Sequence, residues 1–290
     1  MNRIISIAAF VFFGVSAHAI DYTQFSAAKR LRADKRYDEA IQKLEGMAAK
    51  TEDAGENFTY LDLAIDMAVE SLKNAEKALA LVGEVKDPAH RDFARLRVLA
   101  DFERYDEALA SVKGKDVDAW PVRCRSQAHG ILAGIHHAKK DVAAELQEWK
   151  KTAESPGAEP GVRGRALREL GVLYLKEGKS KEAEEQFRQA IQVTPANYAW
   201  RVESLVALSR LLIEEQRGKE AVKVFEGTDF TKVSSMTSKG NLLEAYARAL
   251  LAAGRRIKAI ETFDELLKLD ISAEWKGRIN RELDEMAESF

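Results

Sequence analysis

Cysteine is almost absent: Cys124 is the only one in 290 residues. It cannot close an intramolecular disulfide, so stability has to come from packing. Proline is scarce, at five residues, and alternating apolar–polar runs are hard to find. Helices are therefore expected and strands are not. No excess of one charge sign is present either. Forty-five basic and 47 acidic side chains leave a formal charge of -2. That balance asks for neither nucleic acid nor an anionic membrane as partner. Enzyme signatures are missing as well: no G-x-S-x-G, no H-E-x-x-H, no P-loop and no G-x-G-x-x-G. No catalytic residue, cofactor or metal is expected, and the chain reads as a non-enzyme.

What is there folds. At 46% hydrophobic and 32% charged, the composition lies well above the disordered range. The one long apolar run is at the N-terminus. Arg3 supplies a basic start, Ile4 to Val15 is apolar, and Ala17-His18-Ala19 is an A-x-A cleavage site. Residues 1–19 are expected to be a signal peptide, and 20–290 the mature protein. Cleavage removes one arginine, so the mature charge is 44 minus 47, or -3. The run is short for a membrane span, which needs about 20 residues. No cysteine follows it, so a lipoprotein is not expected, and no later segment is long and apolar enough to cross. A periplasmic or secreted bacterial location follows as an expectation.

The most informative stretch is 164–197, GRALRELGVLYLKEGKSKEAEEQFRQAIQVTPAN. Leu167, Leu170 and Tyr174 recur at helical spacing, and so do Ala183, Phe187, Ala190 and Ile191. Gly178 is placed to take the left-handed turn between two helices, with Ser180 as the cap of the second. Pro195 ends the unit. Leu170, Gly171, Tyr174, Ala183, Phe187, Ala190 and Pro195 fall on the fixed offsets of a 34-residue period. The stretch resembles the tetratricopeptide repeat, with Leu167 where that family usually has tryptophan. The resemblance implies an all-α solenoid, because one hairpin cannot bury its stripe alone.

The same reading extends along the chain to about seven TPR-like helix hairpins plus a C-terminal capping helix. YDEAIQKL at 37–44 is echoed by YDEALASV at 105–112. The second hairpin is expected from about Tyr60 to Val85 after a loop at 51–56. The fourth begins at Trp120-Pro121, with Val142, Leu146 and Trp149 returning. Residues 154–163 form a long loop or a hinge. Gly218 and Gly254 are expected in turns like that of Gly178, and 228–240 as a polar loop. Ser272 to Phe290 is expected to make the cap.

His129 and His136 share a helix with Cys124, but they read as an ordinary solvated helix end. Paired acids such as Glu184-Glu185 read as solvated faces with partners one turn away. In the repeat family the first helix of each hairpin lines the concave face, with the ninth position pointing inward. By that register the row is Lys29, Met67, Arg97, Ile131, Val172, Arg210 and Arg248, with Arg165 and Arg168 on the same side. Lys29, Arg97, Arg165, Arg168, Arg210 and Arg248 are the candidate partner-binding residues. Guanidinium groups there suit carboxylates of a partner, or else pair with acids such as Glu203 and Glu244. Chaperone-binding relatives clamp a carboxylate with Lys and Asn. The Asn positions are unmatched, so that activity is not carried over. The expected function is a scaffold or adaptor that binds another envelope or secreted protein. The alternative is a binding protein for a peptidoglycan or polysaccharide fragment, with Tyr22, Phe25, Tyr60 and Phe93 lining the groove.

Overall fold

The computed structural model describes residues 22–195 and 199–288. The expected signal peptide, 1–19, lies outside the described residues. The chain divides into two compact units, Met1–Glu148 and Trp149–Phe290. The division falls inside the helix Val142–Glu154, ahead of the turn-rich segment 154–163. Among the described residues every regular element is helical.

In the first unit, hairpins form from α1 (Tyr22–Ala33) with α2 (Tyr37–Lys50), and from α3 (Ala54–Asp66) with α4 (Ala75–Gly83). Two more follow: α5 (Pro88–Asp101) with α6 (Tyr105–Val112), then α7 (Val122–Ala138) leading into α8 (Val142–Glu154). The second unit pairs α9 (Pro160–Lys176) with α10 (Ser180–Val193), and α11 (Ala199–Glu214) with the short α12 (Gly218–Lys223). It continues with α13 (Met236–Ala252), α14 (Arg256–Leu267) and the closing α15 (Ala273–Glu288). Within each unit successive helices pack as a solenoid does: α2 lies on both α1 and α3, and α10 on both α9 and α11.

One backbone device closes six of these seven hairpins. After the first helix a residue turns left-handed: Lys35, Glu103, Lys140, Gly178, Gln216 and Gly254 have φ between 57° and 73°. The next amide bonds back five residues, as Lys179 N–H does to Tyr174 O at 2.9 Å, while Gly178 N–H reaches Leu175 O. This is the Schellman pattern, which satisfies the last carbonyls of the helix. Gly178 and Gly254 serve as the sequence suggests. The sixth hairpin differs from expectation: its left-handed residue is Gln216, and Gly218 is the buried first residue of α12. A Cβ on Gly218 would run into the backbone of Ala252. Ser180 likewise begins α10 without capping it; Lys179 holds the cap position and no side chain bonds there.

Five residues beyond the left-handed one, which in the second hairpin is Lys73, six of the seven second helices bury an alanine. Ala40, Ala78, Ala108, Ala183, Ala221 and Ala259 are all fully buried. The fourth hairpin puts Glu145 there, buried and bonded to His137 at 3.1 Å. Four residues further, Trp149 takes the place that Phe187, Phe225 and Phe263 fill elsewhere. Val142, expected on that stripe, is instead exposed. In the fifth hairpin Gly171 admits the Phe187 ring, for a Cβ would come within 2.5 Å of it.

The second hairpin departs from the rest. α3 runs on into a π-turn, Met67–Ser71, where the Leu72 amide reaches back to Met67 O. The turn adds one residue, so Met67 is buried and Asp66 takes its place on the outward face. By the turn register the fourth hairpin offers Gly134 and not Ile131. Three loops are shorter than expected. α3 starts at Ala54 under an Asp53 cap, α9 at Pro160, and α13 at Met236 under a Ser235 cap. A 3-10 turn, Phe230–Lys232, fills part of the segment before α13. α15 packs on α14 through buried Ile279, as the expected cap.

Candidate functional site

The first helices of the hairpins present a charged face in each unit, and the two faces handle charge differently. In the first unit Arg97 of α5 is held by Asp62 at 2.7 Å and Asp66 at 3.2 Å, both from α3. Burial works against the Arg97 charge, but Asp62, Asp66 and Asp101 outweigh it and raise its proton affinity. Burial also pushes Asp66 up to about 6, and it raises Asp101. Arg32 of α1 reaches Glu70 at 3.5 Å. Lys29 lies 4.4 Å from the centre of the Phe25 ring.

In the second unit α9, α11 and α13 stand side by side. Arg168 of α9 binds Glu169 at 2.7 Å and Glu203 of α11 at 2.9 Å. Arg248 of α13 binds Glu244 at 3.0 Å and Glu282 of α15 at 2.9 Å. Glu244 also accepts from the Trp275 indole and from Arg278. Burial alone would raise its carboxyl, yet these bonds hold it below the usual range. Glu203, less well served, is raised by burial. Arg165 is different again: its guanidinium lies between two indoles, 5.2 Å from Trp149 and 5.3 Å from Trp200. Arg210 of α11 is exposed and, among the described residues, has no hydrogen-bond or ionic partner.

Of the six candidate residues, then, Arg97, Arg168 and Arg248 are paired with acids of a neighbouring helix. Lys29 sits over a ring, Arg165 is stacked, and Arg210 alone projects free. The pairing acids stand one repeat away in sequence: Arg248 and Glu282 are 34 residues apart. That periodicity is a signal a charge-by-charge reading passes over. Among the aromatics expected in a glycan groove, Tyr60 and Phe93 are core residues at 3% exposure. His129 is no solvated residue: it is buried, with Glu148 at 2.6 Å from Nδ1 and Asp118 at 3.0 Å from Nε2. Cys124 is buried too, and burial pushes its thiol up to about 12, which makes it a poor nucleophile at neutral pH. Glu184 does pair one turn on with Arg188, and also with Arg217 of the next hairpin. Among the described residues no helix is long and apolar enough to cross a membrane.

Residues 164–197 match the family model of the tetratricopeptide repeat. None of the curated proteins matches the chain. Solved structures with a similar fold include PilF of Pseudomonas aeruginosa, 18% identical, with a TM-score of 0.49 over 77% of this chain and 97% of that one. A tetratricopeptide repeat protein of Parabacteroides merdae is 15% identical, with a TM-score of 0.47 over 89% of this chain and 96% of that one. The C-terminal part of a repeat-containing protein of Cytophaga hutchinsonii is 16% identical, with a TM-score of 0.48 over 88% and 98%. A repeat fold of this kind suggests a scaffold for other proteins. With the motif matched at 164–197, and with its turn and its buried alanine recurring in the hairpins around it, the chain carries a tetratricopeptide repeat set among hairpins of the same build.

Proposed function

We propose that this protein is a non-enzymatic, exported scaffold that receives a segment of another envelope protein on the α9–α11–α13 face of its second unit. The observation that carries the reading is Arg210. In a row whose other charges are paired or stacked, it is exposed and without a partner among the described residues, one turn from the partly buried Val206. A free guanidinium beside apolar side chains gives a partner both a directional bond and surface to bury. The apolar run and A-x-A site before residue 20 support export to the periplasm or beyond.

Photo-cross-linking tests the face. A benzoylphenylalanine at position 210 should capture one defined envelope protein, and the same residue at the exposed Ile257 should not. Identical adducts from both positions, or none from 210, would remove the face from the proposal. Export is tested by fusing residues 1–40 to alkaline phosphatase, which is active only outside the cytoplasm. An inactive fusion would end the envelope assignment.

A further inference from the structure

Arg165 poses a question that pairing does not answer. It is half-buried, yet no carboxylate among the described residues forms an ion pair with it. Glu169 and Glu203 are near enough to be felt, but Arg168 already binds both. Burial accordingly lowers the proton affinity of Arg165. Its guanidinium carbon lies over both the Trp149 and the Trp200 rings, so its N–H groups are what a ligand can bond. Arg165 Nε, Arg168 Nε and the indole N–H of Trp149, a residue only 3% exposed, are buried donors with no acceptor among the described residues. Donors without acceptors are costly when buried, and an oxygen anion brought to Arg165 would relieve its share of that cost.

We propose that Arg165, fixed between Trp149 and Trp200, anchors a side-chain carboxylate of the partner, so that the segment bound on this face is acidic. This rests on the scaffold reading above and names the chemistry of what it receives. The stacked indoles hold the guanidinium plane in place, so little rotamer freedom is lost when the anion binds. A singly charged carboxylate suits the site better than a phosphate dianion, because Glu169 and Glu203 repel the second charge. Arg210, one helix on, offers a second cation to the same segment.

Octaglutamate, octaglutamine and inorganic phosphate are the probes, titrated into the purified protein. The readout is the NMR signal of Arg165 Nε–H and of the Trp149 and Trp200 indoles. Octaglutamate is expected to shift these signals saturably, and octaglutamine is expected to leave them in place. Arg165→Lys keeps the charge but loses the planar stack, and should weaken binding about tenfold. Should that variant fold poorly by circular dichroism, Trp200→Leu removes one face of the stack and should weaken binding several-fold. No shift with octaglutamate, or equal affinity in both variants, overturns the anchor. Tighter binding of phosphate than of octaglutamate overturns the carboxylate assignment. The cross-link at position 210 separates the two readings. An adduct there with silent Arg165 signals leaves the scaffold standing without this anchor. Shifted signals without an adduct leave the anchor standing and remove the scaffold.

Discussion

Arg97 and Arg165 occupy the same kind of surface, the first-helix face, and are treated in opposite ways. Arg97 is surrounded by more acid than it can neutralise: Asp62 and Asp66 bind it and Asp101 adds its field. Arg165 is surrounded by less, with two indoles in place of carboxylates. The first unit thus spends its arginine on joining α3 to α5. The second unit joins its helices through Arg168 and Arg248 and leaves Arg165 and Arg210 over. The same residue type in the same row is structural in one unit and available in the other. Position in the repeat does not decide this; the acids one repeat away do.

The comparison breaks first at Arg97. Arg97→Met leaves two half-buried carboxylates facing each other and should cost about 3 kcal/mol in urea denaturation at pH 7. An effect below about 1 kcal/mol would mean the cluster holds nothing together. Next comes its pH dependence. Asp66 binds its proton more tightly in the folded state, with an affinity near 6, than an unfolded aspartate near 4. This contribution to stability is complete below about pH 4 and is lost as the pH rises through 6. Asp66→Asn should flatten the stability profile between about pH 4 and 6, and an unchanged slope would assign it to another group. Arg248→Met is expected to cost only about 1 kcal/mol, because Glu244 keeps Arg278 and Trp275. Arg165→Met should lie within about 1 kcal/mol of wild type, since it orphans no acid and removes an uncompensated charge. A loss as large as that at Arg97 would erase the distinction between the units. Smallest is the turn: Glu103→Gly should gain about 0.5 kcal/mol where φ is 57°, and Gly178→Ala should lose about 1 kcal/mol.

The fifth hairpin is legible because each of its motif positions carries the expected residue, from Leu170-Gly171 to Pro195. The second and fourth are blurred for two separate reasons. A π-turn after Asp66 adds a residue with no mark in the sequence, so every position before it slips by one. In the fourth, Glu145 stands where an alanine belongs, and its partner His137 compensates for burying a carboxylate. The left-handed residues were readable only where they are glycine; Lys35, Glu103, Lys140 and Gln216 give no sign of their φ. The arginines were found, but not their fates, which depend on the helix beside them.

The six turns share one hydrogen-bond pattern whatever residue takes the left-handed position, glycine or lysine or glutamate. Closure of a hairpin is therefore a property of the backbone, and side chains are free to diverge around it. Such a chain grows or shrinks by whole hairpins. Duplicating a segment of one period, cut between one second helix and the next first helix, brings its own closure with it and leaves the older turns untouched. A gene built this way gains new surface without having to invent a new fold.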